Sequence, residues 1–177
     1  MRLLYLITRA EPGGAQVHLL ELLRGFRDRA ELHLGVGEDQ DGFLVEEARA
    51  LGVRVHLLRH LVQPVRPVKD FRGLFEVMAL LRKVRPHLLH AHSSKAGFLG
   101  RLAGRALGVK SVFTAHGWAF TDGVPEGMKR LALSMERLAG RLGDLVLAVS
   151  EYDRALAPRH KVAPPERNRV VPNGAPA

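Results

Sequence analysis

Short apolar runs alternate with segments of helical period along the whole chain, and this alternation constrains the fold more than any other feature of the sequence. RLLYLI (2–7) ends at the breaker cluster Glu11-Pro12-Gly13-Gly14, after which Leu19, Leu22, Leu23 and Phe26 recur at helical spacing over 15–26. ELHLGV (31–36), VRVHLL (53–58), HLLHAH (87–92), KSVFTAH (110–116), DLVLAVS (144–150) and NRVVPNG (168–174) read as further strands. Helices are predicted over about 43–51, from Phe71 to just before Pro86, over 94–107, and along the steps Met128, Leu131, Met135, Leu138, Leu142. The stretch 59–69 has no clear period, and Pro64 and Pro67 make it a loop. Phe71, Leu74, Phe75, Met78 and Leu81 are expected to form the buried stripe of their helix, and Phe98, Leu102 and Ala106 share one side of theirs. Strands that are apolar throughout and separated by helices imply a mostly parallel sheet covered on both faces. Right-handed crossovers then give one doubly wound, Rossmann-like α/β domain over 1–177.

Ligands of such a sheet bind outside the carboxyl ends of its strands, so the chemistry is sought there. Gly13-Gly14 closes the first strand–helix loop. Two residues without Cβ let backbone N–H groups approach a ligand, and the helix dipole favours an anion such as a diphosphate; a plain tight turn is the competing reading. Neither the dinucleotide nor the P-loop fingerprint is present. Asp39-Gln40-Asp41 reads as a turn, as a ribose contact or as a cation site. In His90-Ala91-His92-Ser93-Ser94-Lys95 the two histidines share a strand face, and with His116 they make a three-His metal site conceivable. The simpler expectation is that Ser93 or Ser94 caps the following helix while Lys95 and Arg101 face an anionic substrate. Thr114-Ala115-His116-Gly117-Trp118 ends the next strand, with a titratable imidazole beside a glycine that permits close approach. Ser150 is the expected N-cap of the next helix.

Composition narrows the chemistry further. The chain has no cysteine, which excludes disulfides, thiolate metal centres and thiol nucleophiles. Its 27 Lys+Arg against 18 Asp+Glu give a formal charge of +9, which favours anionic partners such as phosphorylated substrates or an anionic membrane surface; no specific nucleic-acid binding is expected. Arg59, Arg66, Lys69 and Arg72 concentrate part of that charge in the Pro-containing stretch. The opening MRLLYLITRAEPGG meets Arg9 and Glu11 before a signal-peptide core develops, so a cytoplasmic location is expected, peripheral at the inner face of a membrane.

Gly13-Gly14-Ala15-Gln16, HAHSSKAGFLGRLAG (90–104), FTAHGWAF (113–120), Glu136-Arg137-Leu138, LVLAVSEYDR (145–154) and VVPNG (170–174) stand in an order that resembles the N-terminal half of family 4 (group 1) GT-B glycosyltransferases. The resemblance covers nearly the whole chain. It implies the acceptor-side domain of a retaining, metal-independent enzyme that needs no cofactor and moves a sugar from a nucleotide-sugar donor to a glycan, lipid-linked or small-molecule acceptor. By resemblance, Gly13 and Gly14 contact the donor diphosphate, and His116 is the catalytic residue beside the donor sugar. Gln16, His92, Ser93, Ser94, Lys95, Gly117 and Trp118 border the acceptor cleft, with Ser150 and Glu151 lining it as a cap. The family's Glu-x7-Glu donor motif has no place before Ala177, so a C-terminal Rossmann domain is expected as partner and the isolated 1–177 as inactive. A GT-B nucleotide-sugar epimerase and a non-catalytic nucleotide- or phosphate-binding module are the alternatives.

Overall fold

The computed structural model describes residues 1–37, 42–63, 65–121 and 125–173; the Asp39-Gln40-Asp41 turn and Gly174 lie outside them. The elements run β1 (Arg2–Ile7), α1 (Gly14–Phe26), β2 (Glu31–Gly37), α2 (Phe43–Ala50), β3 (Arg54–Leu58), α3 (Pro67–Val84), β4 (Leu88–His92), α4 (Ser94–Leu107), β5 (Lys110–Ala115), α5 (Glu126–Leu142), β6 (Leu145–Ala148), α6 (Glu151–Arg159), a 3₁₀ turn (Pro165–Arg167) and β7 (Asn168–Val170). All seven strands are parallel in the order β3-β2-β1-β4-β5-β6-β7. The sheet is Rossmann-like, and the direction of winding reverses between β1 and β4. That is the switch point where a crevice opens at the strand ends.

Two cores sandwich the sheet. Leu3, Tyr5 and Ile7 of β1 and Leu32, Leu34 and Val36 of β2 pack under α1 and α2, while Leu4, Leu6, Leu89, Ala91, Phe113 and Val146 pack under α3 and α4. β1 is buried on both sides, as its unbroken apolar run requires. Among the described residues no helix is long and apolar enough to cross a membrane.

Three helices turn differently from their apolar patterns. α3 begins at Pro67, inside the stretch read as a loop, because proline fits the first helical position where no N–H is needed. Its buried residues are Gly73, Val77, Leu80, Leu81 and Val84; Phe71 and Phe75 of the expected stripe face solvent, and Leu74 and Met78 are partly buried. α4 packs chiefly through Ala96, Gly97, Leu99, Gly100, Ala103 and Gly104; Phe98 is partly buried against the same core, Leu102 is half-buried and Ala106 is exposed. A Cβ on Gly97 would stand 2.5 Å from the Phe113 ring, so small residues set how closely α4 approaches the sheet. On α5 the buried residues are Glu136, Ala139 and Gly140, while Met128, Leu131 and Leu138 are exposed.

Candidate functional site

The switch-point crevice is flanked by the N-termini of α1 and α4, which follow β1 and β4. Gly13 and Gly14 are exposed there, and the first turn of α1 holds no acidic residue and no side-chain cap, so its amides present an uncompensated positive end. Gln16 Nε2 donates to Arg9 O at 3.0 Å, fixing the glycine loop from below. A Cβ on Gly13 would meet Gln16 Oε1 at 2.8 Å.

Across the crevice, Ser93 occupies the N-cap position of α4 but makes no capping bond, contrary to the sequence expectation. Its Oγ lies 2.8 Å from Thr8 Oγ1 and accepts from Thr8 N at 3.3 Å, tying the end of β4 to the end of β1. The tie holds Ser93 at φ 66°, a backbone region that costs an ordinary residue about 1–3 kcal/mol. Lys95 Nζ pairs with Asp70 Oδ1 at 2.6 Å, and that carboxylate also accepts from Arg66 N at 2.9 Å. Arg101, expected to face an anion, is wholly buried instead. Its NH2 donates to Glu136 at 2.7 Å, its Nε to Gly97 O at 2.8 Å, and its guanidinium lies 4.2 Å over the Phe113 ring. Gly143, just past α5, leaves the room that the arginine stem fills: a Cβ there would stand 2.7 Å from Arg101 Cδ.

Four imidazoles gather beside α1. The rings of His90 and His92 are 4.4 Å apart, His92 and His116 5.4 Å, and His18 of α1 lies 5.1 Å edge-on to His116. Burial pushes the His116 pKa down to about 4 and His90 to about 3, and it lowers His18 and His92 as well, so all four are neutral at pH 7. His90 Nε2 meets Thr114 Oγ1 at 2.7 Å. His92 Nδ1 and His116 Nε2 are 3.1 Å apart, while His92 Nε2 is buried with no partner. A neutral ring carries one N–H, and orphaning a buried donor is less tolerable than orphaning an acceptor. The network therefore assigns the His92 proton to Nδ1, donated to His116 Nε2, and the His116 proton to its own Nδ1. Although the rings converge, no group of three His or acidic residues is arranged to hold a metal among the described residues.

Gly117, at φ 127°, gives the chain its turn immediately after His116. Trp118 is buried: it stacks on Phe120 at 5.2 Å and donates from Nε1 to Asp153 O at 2.9 Å, so the indole braces this loop against α6. Ser150 caps α6 as expected, its Oγ accepting from Asp153 N at 3.0 Å, and Glu151 is exposed and paired with Arg154. Sequence reasoning missed His18, Thr8 and Asp70. His18 stands one helical turn after Gly14, the spacing that puts both on one face of α1, and that signal was available.

The chain is 29% identical to the UDP-Gal:alpha-D-GlcNAc-diphosphoundecaprenol alpha-1,3-galactosyltransferase of Escherichia coli over 170 residues, 90% of this chain and 44% of that protein, so it spans under half the length of such relatives. It shares its fold with HepE of Anabaena, solved with UDP and glucose, at a TM-score of 0.77 and 22% identity, over 99% of this chain and 45% of that one. The UDP-GlcNAc 2-epimerase of Neisseria meningitidis, bound to UDP-GlcNAc, aligns at a TM-score of 0.71 and 13% identity over 98% of this chain and 46% of that one. The model of Glycosyltransferase Family 4 matches residues 12–177. The chain belongs to glycosyltransferase family 4, with the Rossmann-like fold of the N-terminal half of a GT-B enzyme.

Proposed function

We propose that this domain is the acceptor-side wall of a retaining, metal-independent glycosyltransferase, and that a second Rossmann-like domain holds most of the nucleotide-sugar donor. The observation that carries the reading is the pairing, at one switch point, of an uncapped helix N-terminus with a cluster of neutral imidazoles. As the bond from the anomeric carbon to the diphosphate breaks, negative charge grows on the diphosphate, and the first amides of α1 at Gly13-Gly14 are fixed donors for it. His116, its ring oriented by His92, presents an Nδ1–H to the donor sugar without carrying a charge that would bind ground-state diphosphate equally well. Gln16, Ser93, Ser94, Lys95 and Gly117 border the acceptor, with Ser150 and Glu151 farther along the same edge; Trp118 serves by holding the loop. The E. coli relative, named for a diphosphoundecaprenol-linked sugar, favours a lipid-diphosphate-linked acceptor.

His116→Ala in the two-domain enzyme should lower kcat about 100-fold or more, an effect of roughly 3 kcal/mol. Wild-type turnover would remove His116 from the mechanism. Product anomeric configuration by NMR and activity in chelator test the retaining and metal-independent parts. Epimer formation from UDP-sugar without acceptor would favour the epimerase reading, whose fold this chain shares.

A further inference from the structure

α3 is apolar on two faces. Its inward face carries Gly73, Val77 and Leu80; the opposite face carries Val68, Phe71 and Phe75, 69%, 63% and 52% exposed, at the i, i+3, i+7 spacing of a single stripe. The two phenyl rings meet edge-on at 4.9 Å, a pre-packed aromatic pair in solvent. Exposed Val65 continues the stripe to a cavity of about 290 Å³ bounded also by Phe98, Met128 and Leu131. An apolar surface this continuous needs an occupant.

Charge is sorted across the same helix. Arg66 and Arg72 are exposed and Lys69 half-exposed, while both acids of the segment are engaged elsewhere: Asp70 with Lys95 and Glu76 with His60, whose Nδ1 lies 2.8 Å away. Among the described residues no carboxylate pairs with the Arg66 or Arg72 side chain. The outward face is therefore aromatic and aliphatic with only cations set in it, which is the composition of a helix lying at an anionic bilayer surface. An acidic protein groove would supply neither the breadth nor the fluid apolar layer that two phenylalanines and two valines require.

We infer that the Val65–Phe75 face seats on an anionic lipid bilayer, with Phe71 and Phe75 entering the acyl boundary while Arg66, Lys69 and Arg72 meet lipid phosphates. α3 begins at the strand-end edge, where Asp70 pairs with Lys95, so this contact would hold the crevice next to the headgroups. The inference goes beyond the proposed transferase activity and stands or falls without it.

Flotation of residues 1–177 with vesicles tests it directly. Binding to phosphatidylglycerol mixed with phosphatidylcholine is expected to exceed binding to phosphatidylcholine alone by roughly tenfold or more, and to weaken with salt. Phe71→Ser with Phe75→Ser, and separately Arg66→Ser with Arg72→Ser, should each reduce binding about tenfold or more while leaving the thermal melt unchanged, because all four side chains are exposed. Equal binding to neutral and anionic vesicles, no binding to either, or retention in both double variants overturns the proposal. A dimer by light scattering that the phenylalanine variant dissolves also overturns it, because a second copy would then cover the face. Should one double variant fail to fold, the other and the salt dependence still decide.

Discussion

Arg101 and His92 are both wholly buried polar residues on consecutive elements, α4 and β4, yet their surroundings differ in kind. Arg101 sits between α4 and α5 with a carboxylate, a carbonyl and an aromatic face around its charge, and only its NH1 lacks a hydrogen-bond partner. His92 sits at the crevice, neutral, with one nitrogen bonded and the other bare. A buried charge persists only when it is closely paired, so Arg101 reads as scaffold. A bare buried nitrogen does not separate the two, since Arg101 NH1 also lacks a partner; what separates them is that the His92 ring carries no charge and is hydrogen-bonded to His116 at the crevice.

The sharpest way to break this contrast is Glu136→Ala. It leaves a guanidinium buried without its counter-charge and should destabilise the domain by about 3–5 kcal/mol in chemical denaturation. Replacing the pair together, Arg101→Met with Glu136→Leu, should recover much of that loss. A Glu136→Ala domain as stable as wild type would mean that the ion pair does not organise the α4–α5 contact.

The imidazole side of the contrast is tested by pH. The pKa values of His90, His92 and His116 are depressed in the folded state relative to the unfolded chain, so below pH 6.5 the unfolded state takes up protons that the folded state refuses. Their stability is present in full above pH 6.5 and is lost as pH falls toward about 4, so Tm should drop by roughly several degrees between pH 7 and pH 4.5. A flat Tm across that window would show that the rings are not held neutral by burial.

A smaller effect sharpens the comparison to one proton. In His92→Leu the Nε2 of His116 loses its donor, and turnover in the two-domain enzyme should fall about tenfold, the cost of one such hydrogen bond. His92→Asn places an amide near the Nδ1 position and should recover most of it. Nitrogen-15 shifts of His116 should report the Nδ1–H form in wild type and in His92→Asn and a mixture in His92→Leu, even in residues 1–177 alone. The same tautomer in all three would refute the orienting role.

The sheet was legible because strands such as RLLYLI and LVLA are apolar on both faces, and only a sheet covered on both sides buries that pattern. Helix faces were less so. Periodicity gives most weight to large side chains, so Phe71 and Phe75 drew the predicted core face of α3 outward and the glycines of α4 counted for nothing, although close approach is what glycine provides. Arg101 was misplaced for the same reason: its pocket is made by absent side chains and by Glu136, 35 positions away. The strand-end rule pointed to His92, Ser93, Lys95 and His116, which the fold does place at the ends of β4 and β5, whereas the Thr8–Ser93 tie joins residues 85 apart that no local pattern connects.

That separation bears on how the chain is made. β1 is the central strand, and its two neighbours reach it at different times: Leu3 pairs with Leu32 on one side and with Leu88 on the other. At about 5–20 residues per second, the second neighbour leaves the ribosome several seconds after the first. During that interval one edge of β1 presents unpaired N–H and C=O groups beside apolar faces, and the N-terminal three-stranded unit with α1 and α2 must wait in a form open to wrong pairing. Chaperone occupancy on the nascent chain should therefore end when β4 emerges, and the two strands that frame the crevice are the last and the first parts of that event.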